Sequence, residues 1–189
     1  MKIYSGNGDA GFTLDINGQK ISKNDDRLHL LGTLDELMAH LGLVKAMLQN
    51  EDAWQFSWKS ACNFIEKIQK NLMKIMTDVS GAAQNIKEEK KTITDIELNV
   101  IEKEIDRLSA NIPRQKGLII PGKNIIEAQI QISRTISRRA ERLFFAVKGN
   151  TSLCSNTGAY LNRLSDYLFI LSQQESLINV NFINQITGI

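Results

Sequence analysis

Apolar residues recur along this chain at steps of three and four, the spacing that aligns one face of an α-helix. Between about Asp26 and Gln49 the series is Leu30, Leu34, Leu37, Leu41, Val44 and Leu48, which predicts an amphipathic helix of roughly six turns. A second predicted helix runs from about Trp54 to Gly81, with Phe64, Ile65, Ile68, Leu72, Ile75, Met76 and Val79 inward. The polar stretch Gln84 to Lys91 reads as a loop. Thr94 stands where an N-cap belongs, with Glu97 at the capping-box position and Leu98, Ile101, Ile105 and Leu108 following at helical spacing. A fourth helix is expected from about Asn124 to Lys148, stopped by Gly149 and Asn150. A fifth begins near Asn156 and runs to about Leu177 on the seam Leu161, Leu164, Leu168 and Leu171.

Two regions break the period. Residues 1–25 carry Gly6, Gly8, Gly11 and Gly18 and predict an irregular arm with exposed backbone. Pro113 and Pro121 fall in the connection Asn111 to Lys123, whose apolar run Leu118, Ile119 and Ile120 is expected to press inward. No segment alternates over a convincing strand length, and no internal repeat is visible. The expectation is a single all-α domain over residues 1–189, a five-helix bundle with residues 1–25 as an irregular glycine-containing arm. A chain of this length buries about 70% of the surface it exposes when unfolded, enough for a substantial core.

Composition then removes several classes of function. With 23 basic and 21 acidic residues the net charge is only +2, so there is no broad basic field and no nucleic-acid partner is expected. Cys62 and Cys154 lie far apart with no neighbour at metal spacing, which predicts free thiols, a reducing compartment and a cytoplasmic location. The amino terminus lacks an apolar signal region, and no run of about 18 apolar residues predicts a membrane span. His29 and His40 are the only histidines, and neither follows a glutamate at the spacing of a di-iron bundle. A haem bundle finds little support either, and no resident metal site is expected.

Several polar features could carry chemistry. Arg134, Arg138 and Arg142 follow one another at i, i+4 steps, each turned by about 40°, and so form a slanting row on the fourth helix. Arg139 and Glu141 flank it. Such a row is either a solvated charged face or an anion site, and the shortage of neighbouring acids favours the anion. On the fifth helix Asn162 and Asp166 share a face, beside Arg163 and Ser165, as a ligand wall or as boundary polarity. The arm segment Gly6, Asn7, Gly8, Asp9, Ala10, Gly11, Phe12 and Thr13 can turn consecutive N–H groups toward phosphate oxygens, or be a plain glycine-rich turn. It is not a Walker loop, since no Gly-Lys-Ser/Thr follows. Lys23 is either a phosphate cation or a surface lysine.

Taken in order, these pieces resemble the PduO-type ATP:cob(I)alamin adenosyltransferases over nearly the whole chain. The family's Thr-Arg-Thr-Gly-Asp-Lys-Gly opening corresponds to the stretch Ser5 to Gly11, its Ser-Lys-Asp-Asp to Ser22 through Asp25, and its Gly-Thr-x-Asp-Glu-Leu to Gly32 through Leu37. Its Leu-Pro-Gly-Gly corresponds to Ile120 through Lys123, its Ala-Arg-Thr to Ser133 through Thr135, and its Arg-Arg-Ala-Glu-Arg to Arg138 through Arg142. The final Leu-Asn-Arg-Leu-Ser-Asp-Tyr-Leu-Phe is complete at Leu161 to Phe169.

The resemblance implies a cobalamin adenosyltransferase-like bundle, a homotrimer, and ATP held between neighbouring subunits. It places the ATP site on Ser5, Gly6, Asn7, Gly8, Asp9, Gly11, Phe12 and Thr13, on Lys23, on Arg138, Arg139, Glu141 and Arg142, and on Asn162. It pairs Asp35 with Arg138 across the subunit boundary. The implied reaction is attack of cob(I)alamin on the ribose C5′ of ATP with triphosphate leaving. Arg138, Arg142 and Mg²⁺ would offset the leaving charge, Asp35 would hold Arg138, Asn162 would orient ATP, and no general base is needed.

Four positions depart from the family pattern. Gly6 and Ala10 stand where the family carries an arginine and a lysine, so two cations expected near triphosphate are absent. Lys123 replaces the second glycine of the Pro-Gly-Gly turn and is a candidate to compensate. Leu118 stands where the family places an aromatic residue near the lower face of the corrinoid. An impaired member acting as a corrinoid- or nucleotide-binding carrier or regulator is therefore the alternative reading. A helical assembly module whose arginine row meets an acidic partner is the third.

Overall fold

A computed structural model describes residues 2–50, 55–81, 92–110, 112–113, 117–149, 151 and 153–187. The expected loop Gln84 to Lys91 lies outside the described residues. Five helices account for the bundle: α1 (Asp26–Asn50), α2 (Gln55–Ser80), α3 (Asp95–Ser109), α4 (Ile125–Lys148) and α5 (Ser155–Thr187). Their packing runs in the order α2, α1, α4, α5, α3, with α4 against α5 and α1 against α4 as the most extensive seams. The predicted leucine face of α1 is the centre of the core: Leu30, Leu34, Leu37, Leu41, Val44 and Leu48 are all fully buried. They meet Ile65, Ile68, Leu72 and Ile75 of α2 and Leu161, Leu164, Leu168 and Leu171 of α5 in one continuous cluster.

Small residues let α4 and α5 approach closely. Ser133, Ser137 and Ala140 of α4 are buried, and the Ser137 hydroxyl donates to the Leu161 carbonyl at 3.1 Å. A Cβ on Gly158 of α5 would fall 2.7 Å from Phe145 Cζ and 3.0 Å from Phe144 Cε1, so only glycine admits this distance of approach. Both cysteines are buried and free.

Three expectations are corrected. The arm contains a short antiparallel hairpin, β1 (Phe12–Leu14) and β2 (Lys20–Ser22), paired Phe12 to Ser22, Thr13 to Ile21 and Leu14 to Lys20. Its turn is built by Asp15, whose Oδ1 accepts from the amides of Asn17 and Gln19 at 2.9 Å each, with Gly18 at φ 76°. The run Leu118 to Ile120 does not press inward: Leu118 and Ile120 are exposed, on a turn carrying Gly117 and Gly122 at φ 102° and 105°. Finally, α5 extends to Thr187, about ten residues beyond the expected end, because no glycine or proline intervenes before Gly188. At the end of α4, Gly149 caps in the right-handed region at φ −51°, so its freedom to adopt positive φ is not used.

The ends of α1 and α3 are fixed by local chemistry. Asp25 Oδ1 accepts from the Arg27 amide at 2.9 Å and from its guanidinium Nε at 3.1 Å. Hydrogen bonding from Arg27 holds the Asp25 carboxyl below its ordinary range, against the opposing cost of partial burial. The same guanidinium reaches Asp15 at 3.8 Å, so one arginine ties the hairpin turn to the start of α1.

At α3 the capping box forms as expected, the Thr94 amide donating to Glu97 Oε2 at 2.9 Å and the Thr94 hydroxyl also bonded to that carboxylate. Partial burial pushes the Glu97 carboxyl upward. Hydrogen bonds from the Thr94 hydroxyl and amide, from its own amide and from Lys74 outweigh that, and bring it from 4.5 down to about 2. A depressed carboxylate stabilises the fold above its unfolded pKa, and that stabilisation is lost as pH falls toward the folded value. Thr94→Val is therefore expected to cost about 1 kcal/mol at neutral pH. The gap to wild type should close as pH drops from 4.5 toward 2. Urea unfolding at pH 7 and pH 3 checks this, and a gap constant across that window would contradict it.

Candidate functional site

The close α4–α5 seam brings a polar cluster to one face of the bundle. Glu141 of α4 and Asn162 of α5 sit opposite one another, and the Asn162 amide donates to Glu141 Oε1 at 3.0 Å. The neighbouring Arg163 donates through Nη1 to Asn162 Oδ1 at 2.9 Å and through Nε to Glu102 Oε1 of α3 at 2.9 Å. A continuous chain of hydrogen bonds thus crosses three helices, from Glu102 through Arg163 and Asn162 to Glu141.

The arginine row divides by partner. Arg134 donates through Nε to Gln131 Oε1 at 2.7 Å, and Gln131 in turn donates to Ser172 of α5 at 2.9 Å. Arg139 is ion-paired with Glu36 across the α1–α4 seam. Arg138 and Arg142 are exposed, and neither meets a polar partner among the described residues. One turn of helix separates these two guanidiniums, so they present adjacent forks to any anion on that face. Asp35, beside Glu36 on α1, is likewise exposed and does not bond Arg138 within the chain.

The arm forms a second cluster. Turns at Gly6 (φ 75°) and Gly11 (φ 80°) fold the segment back on itself, through Asp9 N–H to the Gly6 carbonyl at 3.2 Å and Gly11 N–H to the Gly8 carbonyl at 3.3 Å. The Lys23 amide donates to the Gly11 carbonyl at 2.9 Å, and its ammonium lies 2.8 Å from where a Cβ on Gly8 would be. The Lys23 ammonium thus lies directly over Gly8 of the loop. A groove of about 460 Å³ opens beside it, lined by Ser5, Asn7, Gly8, Phe12, Thr13, Leu14 and Lys20. Five of these were singled out from the sequence. Lys20 was not: its ammonium sits 4.5 Å from the centre of the Phe12 ring, brought there by the hairpin register. Lys20 and Lys23 supply cations to an arm whose Gly6 and Ala10 carry none.

Among the described residues no hydrogen bond or ion pair joins the two clusters. The hairpin has no substantial packing against any helix, and the arm's Ile3, Tyr4, Leu14 and Ile16 are exposed. A third element, the turn before α4, holds Leu118 outward. Glu127, missed from the sequence, is fully buried under that turn and accepts from the amides of Gly122 at 2.7 Å and Lys123 at 3.2 Å. Asn124 Oδ1 caps α4 by accepting from the Glu127 amide at 2.8 Å. Lys123, expected as a replacement cation, is exposed on this turn. Among the described residues no three His, Cys, Asp or Glu side chains converge as a metal site.

Comparison with known proteins gives this arrangement a context. The family model described as cobalamin adenosyltransferase matches residues 3–175. A corrinoid adenosyltransferase of Citrobacter freundii is 32% identical over 174 residues, covering 92% of this chain and 94% of its own length. A corrinoid adenosyltransferase PduO of the same organism is 31% identical over 93% of this chain, which spans only 50% of that longer protein. Among solved structures, a single-substitution variant of a PduO-type ATP:corrinoid adenosyltransferase from Lactobacillus reuteri, complexed with cobalamin and ATP, superposes with a TM-score of 0.79 at 28% identity. That match covers 94% of this chain and 95% of the other. The chain therefore belongs to the cobalamin adenosyltransferase family.

Proposed function

We propose that this protein transfers the 5′-deoxyadenosyl group of ATP to the cobalt of a reduced corrinoid, in a site completed between copies of the chain in a homotrimer. The observation that carries this reading is the face on which Arg138 and Arg142 stand without polar partners among the described residues, beside the bonded pair Glu141 and Asn162. Two guanidiniums one turn apart suit a polyphosphate, and a carboxylate with an amide suits the hydroxyls and ring atoms of a nucleoside. The relatives named for corrinoid adenosyl transfer supply the second substrate.

In this reaction Co(I) supplies an electron pair to C5′, the cobalt–carbon bond forms, and the bond from C5′ to the triphosphate oxygen breaks. Its electrons leave with triphosphate, and the cobalt ends formally as Co(III). No proton need be removed, so no base is required. Charge grows on the leaving oxygen, and Arg138 and Arg142 are placed to offset it with charge-assisted hydrogen bonds. Asp35, exposed and without a polar partner among the described residues, is the candidate to hold Arg138 of an adjoining copy.

The arm would enclose the phosphates with Ser5, Gly6, Asn7, Gly8, Asp9, Gly11, Phe12 and Thr13. Lys20 and Lys23 would replace the cations missing at Gly6 and Ala10. Arg139, already paired with Glu36, contributes more to the α1–α4 seam than to ligand. Mg²⁺ would travel with the triphosphate, and Asp9 is the arm's carboxylate suited to its water shell. Leu118, outward on its turn, would cover the lower face of the corrinoid. We place the protein in the cytoplasm on its two free thiols, and treat residues 1–189 as one domain. Among the described residues no helix is long and apolar enough to cross a membrane.

Incubation with cob(I)alamin and Mg-ATP is expected to yield adenosylcobalamin, followed by its absorbance spectrum. Arg138→Ala should lower the rate at least about 100-fold while leaving the fold intact by circular dichroism. No product from the wild type, with tight corrinoid binding retained, would favour the carrier reading. Ala10→Lys should lower the KM for ATP by about tenfold, since one more charge-assisted contact is gained. An unchanged KM would mean that this loop does not face phosphate.

A further inference from the structure

Asn162 can face its neighbours in only one way. In the observed orientation its Nδ2 donates to Glu141 Oε1 at 3.0 Å, and its Oδ1 accepts from Arg163 Nη1 at 2.9 Å. Turning the amide over would set an N–H₂ group against a guanidinium and a carbonyl against a carboxylate. Both contacts would become repulsive. The orientation is thus fixed from two sides, and Arg163 supplies the side that does not belong to the nucleotide cluster.

Arg163 is itself held. Its Nε donates to Glu102 Oε1 at 2.9 Å, which anchors the guanidinium to α3 while Nη1 reaches back to α5. The two side chains of this pair are 40% and 44% exposed, so the pair contributes little to stability. Its geometric effect is larger: a guanidinium is rigid and planar, so fixing Nε fixes where Nη1 points. One N–H of Asn162 and one oxygen of Glu141 then remain without partners among the described residues, a donor next to an acceptor.

We propose that Arg163, anchored by Glu102, is a positioning residue that locks the Asn162 amide, so that Asn162 meets the nucleotide as a hydrogen-bond donor and Glu141 as an acceptor. This rests on the ATP reading given above. It adds that nucleoside recognition depends on an ion pair on the outer surface of α3 and α5. It also means that Asn162→Asp, which replaces the donor by oxygen and sets two carboxylates together, harms binding at least as much as Asn162→Ala.

A double-mutant cycle on the full-length protein tests the proposal, with Kd for Mg-ATP read by calorimetry and melting temperature read alongside. Asn162→Ala should raise Kd about tenfold and Arg163→Met about fivefold. Arg163→Met should have no further effect once Asn162 is alanine. Glu102→Gln provides a milder second perturbation and should follow the same pattern if Arg163→Met folds poorly. Arg163→Lys, which can donate to Asn162 but cannot also bridge to Glu102, should recover only part of the loss. Full additivity in the cycle, or tolerance of Asn162→Asp, would overturn the positioning role while leaving the ATP reading in place. An Asn162→Ala variant with unchanged Kd would also overturn the positioning role, whereas no measurable Mg-ATP binding by the wild type would overturn the ATP reading itself.

Discussion

The distance between α4 and α5 governs most of what this molecule can do. Gly158 leaves room for Phe144 and Phe145, and the Ser137 hydroxyl bonds directly to the Leu161 carbonyl, so the two helices meet over small residues. Because they meet so closely, Glu141 and Asn162 come within direct hydrogen-bonding distance. The same geometry turns Arg138 and Arg142 away from the seam, where no acid among the described residues pairs with them. A looser seam would have invited water between the helices and left these side chains to solvate one by one. Packing and side-chain bonding are here linked, since a methyl group added at Gly158 would press on the Phe144 and Phe145 rings of α4.

The arm obeys a different logic. It has almost no core of its own and is tied to the start of α1 by Arg27, which spans Asp15 of the hairpin turn and Asp25, and by the His29 ring, which bonds Asn24 at 3.0 Å. Beyond that tether it displays Ile3, Tyr4, Leu14 and Ile16 to solvent, and the turn before α4 displays Leu118 and Ile120. Apolar side chains exposed next to a phosphate-friendly loop are what a surface awaiting another copy would carry. This is the physical support for a site shared between protomers.

The bundle was legible in the sequence because a buried helix face repeats with the helical period: each inward position expected for α1 is buried, and the α3 capping box formed at Thr94 and Glu97. Features without a period were harder to read. The strands Phe12–Leu14 and Lys20–Ser22 are too short to alternate visibly, although Asn17 and Gly18 were a usable turn signal. Leu118 to Ile120 looked like core only because three apolar residues stood together. Motif order nominated candidate site residues, but not how they are bonded. Glu102 and Arg163 are far apart in sequence and meet only because α3 packs on α5, and Lys20 enters the arm groove through hairpin register alone. The pairing of Arg139 with Glu36, which separates it from Arg138 and Arg142, was hidden for the same reason.

The central claim is that the arm of one copy and the arginine face of α4 in another complete a single site. Subunit complementation tests it most directly: Lys23→Ala protein, impaired in the arm, is co-assembled with Arg138→Ala protein, impaired on α4, and adenosyl transfer is measured in the mixture. A shared site predicts activity well above either parent, since about one site in four then combines an intact arm with an intact α4 by random assortment. Activity no greater than the average of the two parents would mean that both groups serve a site within one chain, and would contradict the account.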